Sequence, residues 1–355
     1  MASFQNGLIF GDHYQALLAK CHQEQYALPA VNVINSNTVN AALEAAAKVG
    51  SDIIIQVSNG GAEFFAGQGG PDSFQAKVQG AVAFALHAKL MAKYYNVGVV
   101  LHTDHANRKL LPWIDALLDE GEAFFKAHGE PLFSSHMLDL SEETLEENID
   151  ICKRYLTRMN KIGMSLEIEL GITGGEEDGV GSDSIDNARL YTQPEDVNYA
   201  YEQLKDIGHF TVAASFGNVH GVYKPGNVQL RPEILKNSQE FIAEKHGTDD
   251  KPLALVFHGG SGSEQKDIRD AISYGVFKMN IDTDTQFAFT KPVYEYVMAY
   301  QDRLYRQIGS DADPDVPNKK VIDPRKWLRK AEESFVNRLC QAFDDLQGIG
   351  KTIRS

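Results

Sequence analysis

Eight short runs rich in branched apolar residues recur along the chain, and most are followed by a longer stretch with helical spacing. The runs fall at 28–34, 52–58, 97–103, 131–138, 164–170, 209–216, 252–258 and 276–281. Their near-continuous Val, Ile and Leu content fits strands buried on both faces of a parallel sheet better than half-exposed antiparallel strands. Parallel neighbours need long crossovers, and amphipathic stretches such as 36–50 and 141–163 supply them. Ser141, followed by glutamates, reads as the N-cap of the second stretch. Eight such units predict a (β/α)8 TIM barrel forming a single domain over residues 1–355. A doubly wound open sheet is the competing arrangement, but no GxGxxG follows the first strand. A helix over 12–25 precedes strand one and is expected to close the bottom of the barrel, and a helical extension follows strand eight. Extra length sits at 60–75, 171–193 and 309–324, and the middle segment has the Gly-rich, acidic composition of a mobile loop.

Charge limits the partners. The chain of 355 residues carries 34 basic and 49 acidic side chains, a net of −15. Nucleic acid and anionic membrane are therefore disfavoured, because phosphate backbones reward clustered Lys and Arg. A small phosphorylated substrate needs only a local pocket and stays open. Cys21, Cys152 and Cys340 are isolated and form no CxxC pair, which predicts a reducing compartment. The N-terminus lacks a signal-peptide pattern and no apolar run has membrane-spanning length, so a cytoplasmic protein is expected.

Polar residues gather where the predicted strands end. Ser58 follows strand two, Asp104 and His105 strand three, and Asp139 strand four, while Glu167 and Glu169 lie within strand five. "FGNVHGVYKPG" follows strand six, "HGGSGS" strand seven and "NIDTDT" strand eight. A barrel enzyme builds its site at this face. His105, His220 and His258 then offer three imidazoles, a plausible catalytic Zn2+ set, although no local HxH or HExxH spacing supports them. The glycines and serines of "HGGSGS", just before a helix, can bind phosphate through free backbone N–H groups, or can simply turn the chain. "NIDTDT" offers a second such pocket, with plain N-capping by Asp282 and Asp284 as the alternative. Glu176 and Glu177 stand between glycines and read either as a solvated charge run or as a swinging general base. Lys278 and Lys224 are the candidates for a Schiff-base mechanism, though Lys278 reads more simply as a packing or salt-bridge residue.

At "HTDHANRKLLPWID", "PLFSSHMLDLSEE", "LEIELGITGGEEDGV", "SFGNVHGVYKPGN", "LVFHGGSGS" and "KMNIDTDTQ" the chain closely resembles class II, metal-dependent fructose-1,6-bisphosphate aldolases. The likeness runs from "LPAVNV" to "DPRKWLRKAEES", and the long forms with the "PNKK…DPRKWLR" tail resemble the dimeric class IIA branch. It implies reversible cleavage of fructose 1,6-bisphosphate to dihydroxyacetone phosphate and glyceraldehyde 3-phosphate through a zinc-stabilised enediolate, as in glycolysis and gluconeogenesis. It also implies Zn2+ on His105, His220 and His258, with a second metal position near Asp139 and Glu169. Asp104 matches the acid/base at the C4 oxygen, and Glu177 the loop residue that takes a proton from the dihydroxyacetone phosphate carbon. Gly221, Gly259, Gly260, Ser261 and the segment Asn280, Ile281, Asp282, Thr283 match the dihydroxyacetone phosphate grip, beside which K+ or Na+ is implied. Asn32, Ser58 and Arg325 match contacts to the other half of the substrate, with Arg325 reaching across a homodimer. One departure is "DHANRKL", where "DHCAKKL" is common in the family. The neighbouring activity is tagatose-1,6-bisphosphate cleavage, which differs only at C4; a barrel metallohydrolase is a more distant alternative.

Strand alternation alone would put His102 and Asp104 on one face and His105 on the other. The resemblance therefore requires strand three to end near Thr103, so that Asp104 and His105 both turn onto the open face. His102 is left as a packing residue.

Overall fold

The chain is described from a computed structural model that covers residues 3–171, 176, 177, 180, 181, 191–218, 230–260 and 262–355. Eight parallel strands form its centre: β1 (Leu28–Asn32), β2 (Ile53–Val57), β3 (Gly98–Thr103), β4 (Ser135–Leu138), β5 (Ser165–Leu170), β6 (Phe210–Ala214), β7 (Leu255–Phe257) and β8 (Val276–Ile281). Each strand pairs with the next in chain order. β8 then returns to β1, with Lys278 opposite Leu28 and Ile281 opposite Val31, and the sheet is a closed barrel. Nearly every strand residue is buried, which accounts for the unbroken apolar runs.

Helices connect the strands on the outside: α2 (Ser36–Val49), α3 (Asn59–Ala66), α4 (Ser73–Tyr95), α5 (Leu111–His128), α6 (Leu145–Asn160), α7 (Pro194–Leu204), α8 (Glu233–His246) and α9 (Gln265–Ser273). β8 is followed by α10 (Thr283–Ala299), two single-turn helices, and a last long helix, Pro324–Asp345, which packs on α2 and α10. α1 (Gly11–Glu24) precedes the barrel and lies against its N-terminal end. Its Tyr14 meets Phe277 edge-on at 6.3 Å, and the Gly11 N–H donates to the Gly163 carbonyl at 3.0 Å. The predicted closing helix shares that end with the C-terminal tail, since the Ala27 N–H donates to Leu346 and the Ile353 N–H to the Asp52 carboxylate at 2.7 Å. Among the described residues, no helix is long and apolar enough to cross a membrane.

Three elements start three or more residues later than the sequence reading places them. Strand four begins at Ser135 rather than 131, and strand seven covers only Leu255–Phe257 of 252–258. Leu132, Phe133 and Leu253 are buried without joining the ladder, and burial was the property that the apolar runs reported. The helix expected from Ser141 begins at Leu145, because the cap is Thr144, whose hydroxyl accepts the Glu147 N–H at 3.2 Å. The Ser141 hydroxyl instead donates to Asp139 at 2.7 Å. The segment 60–75, read as extra length, forms most of α3 and the start of α4.

These two helices pack closely at a glycine. A methyl group at Gly80 would lie 1.8 Å from the Ala62 carbonyl oxygen, so only a hydrogen fits between α4 and α3. Because α3 starts directly after Ser58, this contact also sets the loop at the end of β2. Gly80→Ala is expected to cost about 1–3 kcal/mol, the usual range for overpacking, despite the better helix propensity of alanine. A thermal melt of the variant that matches the unsubstituted protein would refute the close approach.

Candidate active site

The C-terminal ends of the strands carry a polar cluster in an otherwise apolar barrel. β3 ends at Thr103, and the Asp104 N–H donates to the Val57 carbonyl at 3.0 Å as the chain turns off the sheet. Asp104 and His105 therefore escape the alternation of the strand. The carboxylate of Asp104, only 1% exposed, accepts Asn32 Nδ2 at 2.9 Å on one oxygen and Asn280 Nδ2 at 3.3 Å on the other. Gln56 Nε2 donates to Asn32 Oδ1 at 2.6 Å, which turns the Asn32 amide so that its NH2 faces Asp104. The last residue of β1 and the penultimate residue of β8 thus hold one carboxylate from two sides.

His105 meets residues that come from strands four, five and seven. Its Nδ1 lies 3.1 Å from Asp139 Oδ2 and 3.5 Å from Glu169 Oε2, and its ring centroid is 4.7 Å from that of His258. His258 Nδ1 is 3.7 Å from Glu169 Oε2. Two overlapping groups of ligand atoms result, each within 4.8 Å: Asp104, His105 and His258, and His105, Asp139 and Glu169. Imidazole nitrogens mixed with carboxylate oxygens suit a divalent transition metal, and this donor set fits one.

A second polar layer lies beneath. Glu167, two residues before Glu169 on β5, accepts His258 Nε2 at 2.9 Å and Lys278 Nζ at 2.9 and 2.8 Å on its two oxygens. Burial pushes the Glu167 carboxyl up, but Lys278, His102 and His258 outweigh it and hold the group well below its usual range. Burial likewise pulls His258 down, but its hydrogen bond to Glu167 and the Glu169 carboxylate 3.7 Å from Nδ1 outweigh it and raise it to about 9. Asp139 follows the same pattern: burial raises it, while His105 and Ser141 hold it low. His102 belongs to this lower layer, with Nδ1 2.7 Å from Ser135 Oγ and Nε2 3.6 Å from Glu167.

The structure thus brings Asn32, Asp104, His105, Asp139, Glu169, His258 and Asn280 together. Gly259 and Gly260 follow His258, the first at φ +61° and the second so close to Met279 that a Cβ would sit 2.7 Å from that side chain. Ser58 caps α3 by accepting the Gly61 N–H, and Asp282 accepts Gln286 Nε2 at 2.8 Å as Thr283 opens α10. Ile281, the last residue of β8, is buried. Arg325 is 89% exposed and its described contacts are to Asp323, so none of them joins it to the cluster. His220, Gly221, Ser261 and Lys224 lie outside the described residues, as does the side chain of Glu177, whose backbone pairs antiparallel with Val180. Lys278, the Schiff-base candidate, is an ammonium clamped by a carboxylate. Glu167 carried no assigned role in the sequence; its spacing of two from Glu169 was the available signal.

A closed parallel barrel with an imidazole–carboxylate cluster at its C-terminal mouth has the architecture of a barrel enzyme and the donor set of a metal site. The comparisons specify which. The family model "Fructose-bisphosphate aldolase class-II" matches residues 12–351. A fructose-bisphosphate aldolase of Edwardsiella ictaluri is 57% identical over 345 residues, covering 97% of this chain and 96% of its own. A fructose-bisphosphate aldolase class 2 of Escherichia coli K12 is 55% identical over 346 residues, with the same coverage, 97% and 96%. The crystal structure of fructose-bisphosphate aldolase from Campylobacter jejuni aligns at a TM-score of 0.89 and 56% identity, covering 98% of this chain and 97% of that one. The chain belongs to the class II fructose-bisphosphate aldolase family.

One buried histidine outside the cluster gives a clean pH test. His136 on β4 touches Thr103 Oγ1 at 2.8 Å, and burial pulls its imidazole down to about 3. It stays neutral in the fold, whereas the unfolded chain takes up the proton near 6.5. Its contribution is therefore complete above 6.5 and is lost as pH falls toward 3. His258, shifted the other way, contributes below 6.5 and loses its effect only as pH rises through about 9, so it does not mask this window. Between pH 6.5 and 5, His136 is expected to cost about 2 kcal/mol of stability. Denaturant unfolding of His136→Asn should have a shallower pH slope in that window; an unchanged slope would refute the shift.

Proposed function

We propose that this chain is a lyase that reversibly cleaves fructose 1,6-bisphosphate to dihydroxyacetone phosphate and glyceraldehyde 3-phosphate. The observation that carries this reading is Asp104 held by two asparagine amides beside His105 and His258, in a chain of that family. In this reading His105 and His258, with His220 from the family motif, hold a Zn2+ ion, and Asp139 and Glu169 form a second position. Bound there, zinc supplies Lewis-acid polarisation of the substrate's ketone.

The protein's own groups do the proton work. Asp104 takes the proton from the C4 hydroxyl as the C3–C4 bond breaks and returns it in the condensation direction. Its bonds from Asn32 and Asn280 fix its orientation. Glu177 exchanges the proton on the dihydroxyacetone phosphate carbon. Gly221, Gly259, Gly260, Ser261 and the Asn280–Thr283 segment grip that phosphate, with K+ or Na+ beside them. Asn32, Ser58 and Arg325 contact the remainder of the substrate.

A homodimer belongs to the same reading. Phe287, Tyr294, Val297 and Met298 are exposed on α10 at helical spacing, forming an apolar stripe of the kind that marks an interface. In this arrangement Arg325 serves the partner's site, which agrees with its exposure here. We place the enzyme in the cytoplasm as a single-domain protein of glycolysis and gluconeogenesis; three unpaired cysteines accord with a reducing compartment.

Asp104→Ala is expected to lose about 10²–10⁴-fold in turnover, the usual worth of general acid–base help, while zinc content stays near that of the unsubstituted protein. A coupled cleavage assay with metal analysis checks both. Near-normal turnover removes the acid/base role, and lost zinc would make Asp104 a ligand instead. The same assay with tagatose 1,6-bisphosphate, and after chelation, tests the substrate and the metal: full activity after exhaustive chelation would remove the zinc reading. Val297→Glu/Met298→Glu should sediment as a monomer; a persisting dimer would exclude the α10 stripe as the interface.

A further inference from the structure

We propose that Glu167, clamped by Lys278, is a positioning residue that fixes which ring nitrogen of His258 faces the metal cluster. The inference rests on the metal reading above and extends it one layer deeper into the barrel.

Glu167 and Glu169 are two apart on β5 and so share a side of the strand. They grip His258 at opposite edges of its ring, Glu167 at Nε2 at 2.9 Å and Glu169 near Nδ1 at 3.7 Å. An imidazole that donates from Nε2 carries its free lone pair on Nδ1 when neutral. Nδ1, on the side of Glu169 and His105, is then the nitrogen that can bind a cation. Without Glu167 the ring could present either tautomer or rotate.

Lys278 makes the arrangement tenable. Its ammonium donates to both Glu167 oxygens, so the carboxylate cannot swing away from His258, and its charge is balanced in a place where both side chains are 1–2% exposed. An unpaired anion at this depth would be strongly disfavoured. Lys278 and Asn280 are also two apart, so β8 sends one residue to this lower layer and the next to Asp104.

A purely structural ion pair is the competing account, and the two separate experimentally. Replacing a buried pair by apolar residues of similar volume is often neutral for stability, yet it removes the acceptor for Nε2. Zn2+ affinity is measured by competition with a chromophoric chelator for the unsubstituted protein, Glu167→Leu, and the double variant Glu167→Met/Lys278→Met. The dissociation constant is expected to rise about tenfold to hundredfold in both variants, the usual effect of losing such a partner, while melts report that they remain folded. A folded variant that binds Zn2+ less than about threefold more weakly overturns the proposal. Should neither variant fold, histidine 15N–1H spectra of the unsubstituted zinc-loaded protein decide. His258 protonated at Nε2 and metal-shifted at Nδ1 supports the assignment, and the reverse pattern overturns it. An unsubstituted protein that holds no zinc would remove the metal reading and this role with it. Normal zinc binding alongside unaffected variants would remove the positioning role alone.

Discussion

Ring closure of the parallel sheet is the constraint from which the rest follows. With Lys278 opposite Leu28, each of the eight barrel strands has two neighbours in the ring, so the barrel itself has no open edge among the described residues. Because all eight strands run the same way, their C-terminal ends form one rim. Residues as distant in sequence as Asn32, Asp104, Glu169, His258 and Asn280 are therefore neighbours by topology rather than by any local motif. The helices complete the arrangement by covering the outer face, and the two chain ends meet under the opposite rim around Ala27 and Asp52.

The upper part of the barrel interior is polar, and its organisation explains why that is tolerable. Buried charges are disfavoured unless each is paired and hydrogen-bonded. Here the Glu167 carboxylate receives Lys278 and His258, the Asp104 carboxylate receives two amides, and Asp139 receives Ser141 and His105. Apart from Ser141, the partners come from different strands, so the full set of bonds forms only when those strands are assembled. Stability of the barrel and orientation of the candidate site are thereby linked through the same bonds.

Much of this was legible in one dimension, for identifiable reasons. Two-sided burial makes a strand apolar throughout, so the eight runs stood out; burial beyond the ladder, at Leu132, Phe133 and Leu253, is what blurred their ends. The end of β3 at Thr103 followed once Asp104 and His105 were both required on one side, and the strand does stop there. Thr144 was overlooked as a cap because Ser141 stands closer to the predicted strand and carries the same kind of hydroxyl. Only the position of Asp139, which takes the Ser141 hydroxyl, distinguishes the two. Glu167 was visible as a strand glutamate, but its partners Lys278 and His258 are 111 and 91 residues away.

The sequence by itself determined the element types, their order, the barrel they form and the residue types gathered at one end, since these depend on periodicity and composition that any short window displays. The tertiary structure alone decided which side chains meet: Asp104 between two asparagines, His105 against Asp139 and Glu169, and His258 held between two carboxylates. Those pairings depend on register and strand order around a closed ring. A contact across that ring leaves no periodic trace in the chain that makes it.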